Sequence, residues 1–197
     1  MRKFDYTFLK KISVPADIMN SATSIYEMKA KAELRRTDFA DVFSAMESVA
    51  KIQSVKSSNA IEGIITTDKR IRDIVNKSTA PQGHNELEIA GYRDALDLIH
   101  GSYSDIPFSE KSILELHRML LRPSGDDLAG KYKTEDNFIM ETDRDGVRSV
   151  RFTPVPANET AAAMEQLILA YHAAYSESEI NPLLLIPCVI LDFLCIH

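Results

Sequence analysis

The side chains in this sequence with chemistry to offer are five histidines, two cysteines and a few carboxylates at suggestive spacings. His197 closes the run Asn181 to His197, the most apolar stretch of the chain, which would deliver its imidazole at a helix end. His84, His100, His117 and His172 are scattered, and each taken alone reads as structural or solvated; His117 falls at the edge of an apolar stripe. None sits in a His-Glu-x-x-His pattern or pairs with cysteine at zinc-ligand spacing, so no metal site is expected. A glycine-rich phosphate loop and a Gly-x-Ser-x-Gly elbow are both missing from the sequence. Cys188 and Cys195, seven apart on the apolar run, share a helical face but lie too far apart to bond, and read as reduced core thiols of a cytoplasmic protein. Ser58 and Glu62 are four apart and share a helical face ahead of Gly63.

The elements that must position these groups are mostly helices. Asn181 is a good N-cap and Pro182 fits the first turn of a helix that is apolar on nearly every face, which predicts a buried central helix delivering His197. That run is too short for a membrane span and is interrupted by Pro187 and Asp192. Upstream, Ala16 to Arg36 is helix-forming behind Pro15. Thr37-Asp38 offers a cap for an amphipathic helix carrying Phe39, Val42, Phe43, Met46, Val49, Ala50 and Ile52, which stops at Gly63. Thr66-Thr67-Asp68 caps a short helix through about Val75, and residues 76–85 form a loop. Helices are expected from Glu86 to His100, with Gly101 ending the first, and after Ser109, with Ile113, Leu114, Leu116, Met119 and Leu120 as its stripe. Asp143-Arg144-Asp145-Gly146 between two apolar runs predicts a β-hairpin over about 138–152; Asn158 caps a helix to Tyr175. The expected fold is therefore mainly α with one hairpin, divided into an N-terminal helical segment, 1–83, and a second part, 84–197.

Composition sets outer limits. A chain of 197 residues with 45% hydrophobic and 26% charged residues suits one globular domain or one with an extension. A net charge of −6 argues against a nucleic-acid footprint; Arg2, Lys3, Lys10 and Lys11 make the nearest approach to a basic patch. The N-terminus has no apolar secretory stretch, and no membrane association is expected.

Taken together, three segments resemble the Fic (filamentation induced by cAMP) family. Ser58-x-x-x-Glu62-Gly63 is similar to the family's inhibitory-helix motif, Ser or Thr, three residues, Glu, then Gly or Asn. Gly130-Lys131-Tyr132, followed by the hairpin, resembles the approach to the Fic flap. Asp192 to His197 resembles the approach to the Fic signature, which continues past its histidine as Pro-Phe-x-Asp/Glu-Gly-Asn-Gly-Arg-x-x-Arg. The likeness covers about residues 37–197 and implies a Fic-like helical bundle with a hairpin flap, lacking the C-terminal part of its core.

By that resemblance the intact parent is an autoinhibited protein adenylyltransferase, moving AMP from ATP, with Mg²⁺, to a hydroxyl side chain of a target protein. His197 matches the base. Glu62, with Ser58 and Gly63, matches the inhibitory segment, whose carboxylate competes with the ATP γ-phosphate for an arginine fork. The hairpin, with Ile139 and Val150, matches an edge on which a target segment docks as a strand. Residues after the signature histidine would supply the metal carboxylate and the phosphate nest, so this chain reads as an inactive N-terminal portion that binds neither ATP nor Mg²⁺ well. Its apolar terminal helix favours association, as in a homo-oligomer. Bland readings stand beside these: Glu62 as a solvated helix-end carboxylate, the hairpin as inert, His197 as merely the last residue. A non-enzymatic helical interaction or antitoxin-like module is the alternative for the whole.

Overall fold

The computed structural model describes residues 4–177 and 179–196. Among these residues the protein is mainly helical, with seven α-helices and one two-stranded antiparallel sheet. The helices are α1 Ala16–Arg35, α2 Ala40–Ile61, α3 Asp68–Val75, α4 Gly83–Ser102, α5 Glu110–Leu121, α6 Thr160–Tyr175 and α7 Pro182–Ile196; β1 is Ile139–Thr142 and β2 Arg148–Phe152. Two compact units emerge. The first comprises Met1–Ile18, Phe108–Glu110 and Tyr132–His197, and the second Met19–Pro107 and Lys111–Lys131.

The core of the second unit is built where α2, α3 and α4 meet. Val55 from α2, Ile71, Ile74 and Val75 from α3, and Ile89 and Ala90 from α4 are buried together, with Ile52, Ile64, Tyr92 and Leu96 packed around them. The Thr67 hydroxyl accepts from the Arg70 N–H and caps α3 as its sequence predicts. Two cations tie the α3–α4 corner. Arg70 forks onto the buried Glu86 carboxylate and also donates to Thr79 Oγ1 at 3.0 Å. Buried Arg93 reaches the Ile74 carbonyl at 2.7 Å and so closes the end of α3. Gly130 lies against α5 with φ 76°; a Cβ there would sit 2.9 Å from the Arg118 Cβ, so the close approach and the left-handed backbone both require glycine.

In the first unit α7 packs on α6. Leu185, Val189, Asp192 and Ile196 recur at helical spacing as the buried stripe of α7, and Ala163, Met164, Leu167 and Ala174 are the buried positions of α6. Phe4, Tyr6 and Leu9 from the N-terminal segment are also buried. The Asn181 carboxamide accepts from the Leu183 N–H at 2.9 Å, the cap its sequence predicts.

Several expectations need correction. α7 is buried along one face only: Ile186, Ile190, Leu191 and Leu194 are exposed, because within its unit α6 covers a single stripe. Asp192, read as an interruption, is a buried part of that stripe and accepts from the Tyr6 hydroxyl at 3.0 Å. The cap of α2 is Phe39, without a side-chain bond, since Thr37 and Asp38 lie in the turn before it. The apolar stripe of α2 is exposed at Phe39, Val42, Met46 and Val49, and burial begins only near Ile52. α4 starts at Gly83 and runs through Gly101 to Ser102, so the loop is shorter than predicted and that glycine terminates nothing. Asn158 lies inside a 3₁₀ turn, Ala157–Glu159, and the α6 cap is Glu159.

Candidate functional site

Among the described residues, the predicted site residues fall at the end of α2 in the second unit (Ser58, Glu62, Gly63) and on the hairpin of the first (Ile139, Val150). In the second unit α2 ends at Ile61 and Glu62 is its C-cap. Gly63 takes φ 78°, the Gly63 N–H donates to the Ala60 carbonyl at 3.1 Å, and the Ile64 N–H reaches back to the Asn59 carbonyl at 2.9 Å. This 6→1 and 5→2 pair is a Schellman closure, which only a residue at ease in the left-handed region completes without strain. Glu62 is thereby held at the surface, exposed, directly after the last helical turn. Ser58 faces α4: the Tyr92 hydroxyl donates to its Oγ at 2.8 Å. At the next position, buried Asn59 donates its amide to the Val55 carbonyl one turn back in α2, at 2.8 Å. The last turn of α2 is thus tied to α4 through Ser58, the first residue of the motif. Sequence reasoning missed Tyr92, because nothing in α2 marks a partner 34 residues away.

In the first unit the hairpin forms where Asp143-Arg144-Asp145-Gly146 predicts it. Asp143 Oδ1 accepts from the Asp145 and Val147 N–H groups at 2.9 and 2.8 Å, and Gly146 adopts φ 82°. Ile139 pairs with Phe152 and Met140 with Val150, with a register shift between Ile139 and Met140. Every residue of both strands is exposed, Ile139 at 49% and Val150 at 52%. An exposed two-stranded ribbon offers unpaired edge groups to which another extended segment can add.

Below the strands the two legs of the hairpin are joined to each other and to α7. Asp136 Oδ1 accepts from the Ala157 N–H at 2.7 Å. The Val155 N–H donates to the Cys195 carbonyl at 3.1 Å, and the Lys133 ammonium donates to Asn137 Oδ1 at 2.6 Å and to the Ile196 carbonyl at 3.0 Å. Burial pulls the Lys133 pKa below the ordinary lysine range, with nearby Asp136 opposing it. His197, the predicted base, follows Ile196 and lies outside the described residues.

The remaining histidines have ordinary duties. His117 Nδ1 accepts from the Gly130 N–H at 3.2 Å, His172 Nε2 donates to the Phe108 carbonyl at 2.7 Å, and exposed His84 lies 2.6 Å from Glu88. Cys188 and Cys195 are free thiols, and burial pushes the Cys188 pKa up. Among the described residues no group of three His, Cys, Asp or Glu side chains is placed to hold a metal ion. No helix among them is long and apolar enough to cross a membrane.

Comparison with known proteins bears on the fold and on residues 107–197. No curated protein matches the chain. A solved Fic-domain-containing signalling protein from Bacteroides thetaiotaomicron is similar in fold, with TM-score 0.53 and 19% identity; the match covers 71% of this chain and 60% of that one. The chain thus spans about 60% of the length of that relative. The Fic/DOC family model matches residues 107–197, from just before α5 to the histidine after α7. Residues 107–197 are a Fic/DOC family domain.

Proposed function

We propose that this chain carries the base, the target-docking hairpin and the inhibitory carboxylate of an autoinhibited Fic-type protein adenylyltransferase. One observation carries the reading: within the matched residues 107–197, the final turn of α7 is bonded to both legs of an exposed hairpin. In the reaction, a hydroxyl oxygen of the target protein forms a bond to the α-phosphorus of ATP. The bond between the α-phosphorus and the bridging oxygen breaks, pyrophosphate leaves, and the hydroxyl proton passes to His197. General-base help of this kind contributes about 10²–10⁴-fold. The hairpin edge would align the target segment through backbone bonds with little regard to its sequence. Glu62 would restrain the reaction by occupying the arginine that the ATP γ-phosphate needs. The sequence contains no Gly-Asn-Gly-Arg segment, so by itself the chain is assigned little nucleotide binding and little transfer.

The test is incorporation of AMP from ATP labelled at the α-phosphate, in a chain continued past His197 with the family signature and in the chain alone. Glu62→Gly is expected to raise incorporation in the continued chain and His197→Ala to abolish it, with little transfer by the chain alone. No incorporation in any of them, or no response to Glu62→Gly, overturns the reading.

A non-enzymatic interaction module is the second reading, favoured by α1, which has no buried residue along its length and exposes Ile18, Met19, Ile25, Tyr26, Met28 and Leu34. A partner that binds this helix with equal affinity whether or not the chain can transfer AMP would support it.

A further inference from the structure

The last carbonyls of a helix have no intrahelical donor and need partners from elsewhere. At the end of α7 those partners come from two places far apart in sequence. The Val155 backbone, on the leg that follows β2, takes the Cys195 carbonyl, and the Lys133 side chain, on the leg that precedes β1, takes the Ile196 carbonyl. An ammonium also suits this place because the C-terminal end of a helix carries partial negative charge. Lys133 is half-buried, and Asn137 holds its ammonium from the hairpin side at 2.6 Å. The bond from Ala157 to Asp136 ties the legs to each other. The three segments therefore close on one another, and Lys133 is the only side chain that bonds both the first leg and the helix among these contacts.

We propose that Lys133 is a positioning residue: it fixes the C-terminal turn of α7 to the hairpin legs, so that a segment docked on the hairpin edge and the His197 imidazole share one rigid frame. The inference rests on the reading of His197 as base and of the hairpin as docking edge. The clamp itself stands on the contacts of Lys133 and Val155 and can fail or hold apart from that reading.

The experiment uses the chain as it is, in three forms: unaltered, Lys133→Met and Lys133→Arg. Methionine keeps the stem length and removes the donor, whereas arginine keeps a charged donor able to reach both oxygens. Amide exchange is followed by NMR at Val155 and in the last turn of α7, with Leu185 and Val189 as references. Ring mobility is followed at His197, with His117 and His172 as references. For Lys133→Met, exchange at Val155 and Ile196 is expected to rise about tenfold, as loss of one charge-assisted bond implies for a local opening. The His197 ring is expected to gain mobility, while the reference amides and rings stay unchanged. Lys133→Arg is expected to restore both. Unchanged exchange at Val155 and Ile196, an unchanged His197 ring, or a Lys133→Arg variant that behaves as Lys133→Met overturns the proposal. Since no readout depends on ATP, failure of the adenylyltransferase reading shows separately, in the labelling experiment.

Discussion

The two helix ends next to the predicted site residues Glu62 and His197 are closed in opposite ways. α2 is closed by its own continuation: Gly63 turns left-handed, and its own amide and that of Ile64 fold back onto Ala60 and Asn59. α7 is closed from a distance, by a lysine 63 residues upstream and by a backbone amide on the far leg of the hairpin. Local closure sets where a carboxylate emerges and depends on nothing beyond the turn. Remote closure makes the helix end part of a larger assembly, so that whatever moves the hairpin legs moves the end of α7. Under the proposed function, a carboxylate that only has to compete for a cation needs no more than the first, whereas a base that must meet a docked hydroxyl needs the second.

The largest effect should come from removing what the remote closure stands on. Leu185 is fully buried on the α7 stripe, and Leu185→Ala is expected to cost about 2–5 kcal/mol. Denaturant unfolding should locate the loss in the first unit, with amides of α6 and α7 losing protection while Ile74 and Ile89 in the second unit keep theirs. Equal loss of protection in both units would show that the two helix ends do not rest on separate foundations.

Acid should act the other way round. Glu86 lies in the second unit, and the Arg70 guanidinium bonded to its carboxylate holds its pKa at about 2 against an ordinary 4.5; burial opposes this shift and the Gln82 N–H assists it. A carboxylate whose pKa is depressed by folding contributes stability that is full above its unfolded value and is lost as pH falls through its folded value. The second unit should therefore weaken between about pH 5 and pH 2, by an amount that Glu86→Gln abolishes along with the dependence. A stability profile over that window with the same slope in the variant would remove the ion pair as its cause. Buried and forked, this pair is where acid should first loosen the core under α2.

How much of this was legible follows from the same contrast. Periodicity and punctuation located α1, α3, the hairpin turn and the N-cap of α7, because Thr67, Asp143, Gly146 and Asn181 act within a few residues of themselves. Gly63 announced the end of α2 for that reason. What failed was non-local. Asp192 looked like a break in an apolar run until Tyr6, 186 residues away, proved to be its partner. Lys133 and Tyr92 carried no mark of the carbonyl and hydroxyl they serve. Gly101 misled because α4 carries straight through it to Ser102. The apolar composition of α7 likewise predicted burial on nearly every face, whereas α6 covers a single stripe and leaves Ile186, Ile190, Leu191 and Leu194 exposed.

The smallest effect isolates the local closure. Gly63→Ala places a Cβ that would meet nothing within 4 Å, so packing neither gains nor loses by it. Its cost is conformational alone, about 1–2 kcal/mol for holding an L-residue in the left-handed region, less the small entropic benefit of replacing glycine in the unfolded chain. Exchange at the Ile64 amide, which makes the 6→1 bond to Asn59, should report the strain directly, while Tyr92 and Ser58 keep the preceding turn in place. The α7 end should not respond, since its closure is drawn from Lys133 and Val155. If Gly63→Ala leaves both global stability and Ile64 exchange unchanged, the left-handed turn is not what ends α2, and the end of that helix would have to be held by the Tyr92–Ser58 bond instead, a remote closure like that of α7.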